Sequence, residues 1–109
     1  MFAVVIAAAG CVTTDQLAPP ADEVIRGLLS ARGADALTAN ARDQVTLGRL
    51  LYITDCADCH SPEPVLAHSM IAWEEILPRM AQESKLSDEE TEAIRAYVAA
   101  VHAWGGVAQ

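Results

Sequence analysis

Gly48-Arg49-Leu50-Leu51-Tyr52-Ile53-Thr54-Asp55-Cys56-Ala57-Asp58-Cys59-His60 is the stretch on which the reading of this chain turns. Its last five residues set two thiols and an imidazole at C-x-x-C-H spacing, the attachment signature of a c-type haem. The spacing has a chemical reason. Two thiols so placed can add to the two vinyl groups on one edge of a porphyrin and form two thioethers. The histidine beside the second thiol then lies under the ring, where it can bind iron from one side. Two other readings compete: a thiol–disulfide pair, or half of a zinc site. A redox C-x-x-C opens a helix after a strand, and no strand pattern precedes Cys56. A zinc site needs a second pair of ligands, and Cys11, His68 and His102 form no recognisable second half.

Outward from this motif, the chain is short. Its 109 residues suffice for one small domain, and 52% of them are apolar, which argues against disorder. A domain this small buries a modest core, and a covalent haem would give it a large apolar centre to pack around. The formal net charge of −8 argues against nucleic acid and anionic lipid as partners. It suits steering toward a redox partner that carries a basic patch.

The third cysteine has a different context. Residues 1–10, Met-Phe-Ala-Val-Val-Ile-Ala-Ala-Ala-Gly, carry no charge and end in small residues directly before Cys11. No Lys or Arg precedes this run, and it is too short to span a bilayer. The stretch resembles a bacterial lipoprotein signal peptide with its lipobox. That resemblance implies cleavage before Cys11, a diacylglycerol on its thiol, and a lipid-anchored protein on the periplasmic side of a bacterial membrane. Residues 1–10 are then the signal, 11–21 the lipidated cysteine with its tether, and 22–109 the folded domain.

The periodicity along the domain is helical throughout, which predicts an all-α fold. Asp22 is placed to cap a first helix carrying Val24, Ile25, Leu28 and Leu29, with Gly33 to end it. Asn40 is placed to cap a second, through Val45, Leu47, Leu50 and Leu51 to Tyr52 or a little beyond. Pro62 and Pro64 forbid continuation of a helix after His60. A third helix is expected from near Ser69, with Ile71, Trp73, Ile76, Leu77 and Met80, kinked or split at Pro78. Ser87-Asp88-Glu89-Glu90 is a capping box that opens a last helix. Ile94, Tyr97, Val98 and Val101 form its apolar stripe, and Gly105-Gly106 its stop.

The pattern Gly48-x-x-Leu51-Tyr52-x-x-x-Cys56-x-x-Cys59-His60, followed later by Ile94-x-x-Tyr97-Val98, resembles class I-type small cytochromes c. The resemblance covers roughly residues 43–103. It implies a small helical domain around one covalent haem c, bound through Cys56, Cys59 and His60. It also implies that the motif helix and the last helix cross closely, with Gly48 and Tyr52 meeting Ile94 and Tyr97. Residues 22–40 would form an extra helix packed on that unit. A methionine is the family's usual second iron ligand, and here Met80 is the expected one, on the Trp73 face and near the loop that leads to the last helix. Met70, His68 and an open iron site are the alternatives; His102 is expected at the surface. The family further uses a proline carbonyl after the motif to accept a hydrogen bond from the haem histidine, and Pro62 and Pro64 both match.

A His60/Met80 pair closed on both sides of the iron implies electron transfer without a substrate site of its own, so not an enzyme. An open or weakly held iron would instead suit a haem-based sensor or a small peroxidase.

Overall fold

The computed structural model describes residues 13–54 and 63–108. Among these residues the chain is all-α, with no strand. Five helices follow in order: α1 (Thr14–Leu17), α2 (Ala21–Arg32), α3 (Ala39–Thr54), α4 (Met70–Ser84) and α5 (Asp88–Ala108). A 3-10 turn, Val65–Ala67, precedes α4.

The organising contact is the crossing of α3 over α5. A Cβ built on Gly48 would stand 2.0 Å from the Ala93 carbonyl oxygen and 2.8 Å from the Tyr97 Cβ. Only a residue without a side chain lets these two backbones approach so closely. Around that point the apolar stripes interlock. Val45, Leu51 and Tyr52 of α3 are buried against Ala93, Ile94, Tyr97, Val98 and Val101 of α5. α2 lies along the later part of α5, where Gly27 makes room for the Trp104 indole. Its Val24 and Leu28 are buried, as the apolar face of the sequence requires.

Local signals account for most helix ends. Ser87 and Glu90 exchange the two bonds of a capping box, Glu90 N–H to Ser87 Oγ at 3.1 Å and Ser87 N–H to Glu90 Oε1 at 2.9 Å. Ser69 caps α4 by accepting from the Ala72 N–H. Gly33 closes α2 with φ 104°, a left-handed conformation that suits glycine.

Several expectations are corrected. α2 starts at Ala21 behind Pro20, and Asp22 sits in its first turn, paired with Arg26 at 3.4 Å. The cap of α3 is Thr38, whose hydroxyl accepts from the Ala41 N–H at 3.0 Å, because Asn40 already lies inside the first turn. α4 is not split at Pro78: it continues through the proline as one element, with the ring on its exposed side. α5 continues past Gly105-Gly106 to Ala108, and Gly105 is buried beside Leu66. Leu47 and Leu50 are 44% and 55% exposed, and Ile71 is 81% exposed. In α3, Gly48 fixes which side meets α5 and turns those two leucines outward.

The segment expected to be a tether is folded from Thr13 onward. Thr13 and Gln16 form a capping box on the one-turn α1. Ala18 and Pro19 are buried. Arg49 of α3 holds this segment, with its guanidinium donating to the Ala18 carbonyl at 3.1 and 3.2 Å and to Asp15 at 2.8 Å. Pro19 supplies the other tie, its carbonyl accepting from the Tyr97 hydroxyl at 2.7 Å.

Candidate functional site

Cys56, Cys59 and His60 lie outside the described residues, as do Cys11 and Pro62. What the structure shows is the frame on either side of them. α3 ends at Thr54, two residues before Cys56, and the chain is described again from Glu63. The two sides are clasped at their base: the Tyr52 hydroxyl donates to the Glu63 carbonyl in a short hydrogen bond. Tyr52 is itself locked, 2% exposed, between the Trp73 ring at 5.9 Å and the Tyr97 ring at 6.0 Å. The Trp73 contact is edge-on, the arrangement the ring quadrupoles favour.

The segment that follows is fixed with equal care. The Trp73 indole N–H donates to the Val65 carbonyl at 2.9 Å, a buried bond that pins the 3-10 turn to α4. In that turn the Pro64 carbonyl accepts from the Ala67 N–H at 3.0 Å. His68 is half-buried; its Nε2 lies 3.1 Å from Glu63 Oε1, and its ring stands edge-on to Trp73 at 5.4 Å. Tyr52, Glu63, Val65, His68 and Trp73 thus form one connected group that borders the motif segment on both sides.

The candidate distal ligands lie on α4. Met70, Trp73, Leu77 and Met80 share one face at helical spacing, with Trp73 and Leu77 buried. Met70 and Met80 are half-buried and pack against the core. Ten residues separate them, about 15 Å along the helix axis. Met70 therefore stands at the end that adjoins His68 and the 3-10 turn, and Met80 at the end that leads through Lys85 to α5. Lys85 makes that turn in the left-handed conformation, φ 57°.

Two electrostatic features stand out. Burial pushes the Tyr97 phenol above its ordinary range; the Arg49 guanidinium nearby pulls the other way and Asp15 adds to the rise. His102, expected at the surface, is half-buried in α5, and its Nε2 has no hydrogen-bond partner among the described residues. Arg95 of α5 joins Glu74 of α4 at 2.9 Å and also pairs with Glu92; these are exposed pairs of small energetic weight.

The donor set can be tested against a haem. No group of three or more His, Cys, Asp or Glu among the described residues could hold a metal ion. A haem iron would need only a single further ligand from these residues. A half-buried neutral thioether on an apolar helix face suits that role, since it brings no charge into the interior and is a soft donor to iron. The residues fit such a group: Met80, Met70 or His68 could supply one ligand opposite the motif histidine. Arg49, Glu63 and the clasp from Tyr52 were not visible in the sequence. Arg49 and Tyr52 work through partners more than ten residues away and the Glu63 carboxylate through His68 five residues on, and no local pattern marks them.

Among the described residues no helix is long and apolar enough to cross a membrane. Comparison of the chain with protein-family models, with curated proteins and with solved structures finds no match.

Proposed function

We propose that this chain is a membrane-tethered monohaem c-type cytochrome that carries single electrons between partner proteins. The observation that carries the reading is Cys56-x-x-Cys59-His60, set two residues beyond the end of the helix that crosses α5 at Gly48. When bound, the haem supplies a one-electron iron couple. The chain's own residues hold it: Cys56 and Cys59 through thioethers, His60 as one iron ligand and Met80 as the other. Both ligands stay in place in either oxidation state, so little has to reorganise on transfer. A thioether opposite a histidine raises the potential relative to two histidines.

The Pro64 carbonyl is engaged within the 3-10 turn. Either the Pro62 carbonyl or the second lone pair of the Pro64 carbonyl would accept the bond from the free nitrogen of His60, which would fix the ring and enrich the ligand in electron density. Tyr52 and Trp73 support this arrangement by holding both sides of the motif segment. Cys11 carries the lipid, which places the protein at the periplasmic face of a bacterial membrane and raises the local concentration of membrane-bound partners. A partner with a basic patch fits the acidic chain.

The purified protein's visible spectrum tests this directly. Reduced protein should give c-type haem bands that survive acid–acetone extraction, because the thioethers retain the haem. Oxidised protein should show the weak far-red band of thioether ligation, and Met80→Ala should abolish it. Loss of the band in Met70→Ala alone would reassign the ligand. Ready binding of carbon monoxide or cyanide with no thioether band would favour the sensor or peroxidase, and absence of covalent haem would sink the whole reading.

A further inference from the structure

We propose that the domain lies on the bilayer surface itself, through the groove between α2 and α3, with Leu47 and Leu50 as its lipid contacts. This rests on the reading of Cys11 as the lipid-bearing residue. Leu47 and Leu50 are the exposed leucines on the outer side of α3. With Pro20, Ala21 and Ile53 they line an open groove of about 640 Å³. Leucines left at 44% and 55% exposure on one helix, next to a concave apolar wall, form a face that water covers poorly.

The chain length between anchor and fold decides what covers it. Residues 13–20 would be slack if they were a tether, but they are folded, with Thr13 to Gln16 exposed and Ala18 and Pro19 buried. α1 is capped by Thr13, Asp15 and Ala18 are held by Arg49, and Pro19 by Tyr97. Only Val12 stands between Cys11 and Thr13, and two extended peptide units span at most about 7 Å. The entering segment joins the groove at Pro20 and Ala21, and Arg49, which holds Asp15 and Ala18, is another of its walls. A diacylglycerol on Cys11 therefore leaves the domain no room to stand off from the membrane, and the surface nearest the anchor is this apolar one.

Charge then selects the lipid. The Arg49 guanidinium in the wall is neutralised by Asp15; Asp22, itself paired with Arg26, and the acidic Asp43 line the same groove. That rim disfavours anionic headgroups, so the fitting surface is a zwitterionic leaflet.

The experiment is hydroxyl-radical footprinting of the lipidated full chain on phosphatidylcholine vesicles, with the unlipidated Cys11→Ser protein in the same suspension as reference. Oxidation of Leu47 and Leu50 should fall several-fold on the vesicles, while Ile71, 81% exposed on α4, should be oxidised as before. A long Gly-Ser insertion between Val12 and Thr13 should restore the oxidation, and exchanging the lipid for phosphatidylglycerol at low salt should weaken the protection. Unchanged oxidation of Leu47 and Leu50 in vesicle-bound lipidated protein overturns the proposal and leaves the anchor intact. Protection that grows with concentration of the Cys11→Ser protein alone assigns the groove to a second copy and also overturns it. A mass spectrum without diacylglycerol on Cys11 removes the anchor reading, and the proposal with it.

Discussion

Gly48 and Gly27 look alike in the sequence, each a glycine inside a helix, yet they are under different constraints. An added methyl at Gly48 meets the backbone carbonyl of Ala93 at 2.0 Å, and backbone cannot step aside without moving α5. At Gly27 it meets Cδ1 and Nε1 of the Trp104 indole at 2.5 and 2.7 Å, atoms of a half-buried side chain that can turn. Alanine also gains about 1 kcal/mol of helix propensity over glycine at either site. Gly48→Ala should therefore destabilise the protein by about 3 kcal/mol or prevent folding, as overpacking does. Gly27→Ala should stay within about 1 kcal/mol of wild type. Urea unfolding of both variants checks this, and equal effects would contradict it.

Tyr97 makes a second residue-scale test. Its phenol is held protonated by burial, and its hydroxyl donates to the Pro19 carbonyl. A group whose folded pKa is raised contributes stability that is complete below the unfolded value, about 10 for tyrosine, and is lost as pH climbs above it. Thermal unfolding should thus shift to lower temperature above about pH 10. Tyr97→Phe should lower stability at neutral pH by about 1 kcal/mol through the lost hydrogen bond, and should flatten the alkaline decline. A decline as steep as wild type's in Tyr97→Phe would show that another group drives it.

At the scale of elements, the capping box at Ser87 was legible because both of its halves are local, whereas the caps expected at Asp22 and Asn40 were each set two residues late. Ser87 and Glu90 are three residues apart, and the side chain of each accepts from the other's backbone N–H whatever the rest of the chain does. Ser87→Ala should cost about 1 kcal/mol, read in thermal unfolding, with the helix start frayed in hydrogen exchange. The face of α3 was not legible in the same way. Val45, Leu47, Leu50, Leu51 and Ile53 spread around more than half the helix, so the apolar pattern alone picks no single side. The choice is made by Gly48 against Ala93, a contact across 45 residues of chain. Residues 12–21 read as a tether for a similar reason: two prolines and small residues suggest one, and the guanidinium that holds Asp15 and Ala18 belongs to α3. In the candidate site, the spacing of Cys56, Cys59 and His60 could be read directly, whereas Met70 and Met80 share a helix face that periodicity cannot divide.

For the whole molecule, charge and topology set the expectations. A net charge of −8 should attract small cationic redox reagents and repel anionic ones. If the chain carries a haem as proposed, oxidation by a cationic complex should slow as salt is added, and oxidation by an anionic complex should speed up. Stopped-flow rates across ionic strength measure this. Equal slopes for the two reagents would mean that the acidic groups lie away from the site of electron exchange.

The tie between Tyr97 and Pro19 spans 78 residues and joins the start of the described chain to its last helix. Its consequence is mechanical. A pull applied at the N-terminus does not simply peel α1 away; it loads Arg49 and Tyr97, and through them α3 and α5 together. The exposed carboxylate of Asp15 should yield first and the buried Tyr97 bond later, so the domain resists extension as a single block until its central crossing is sheared.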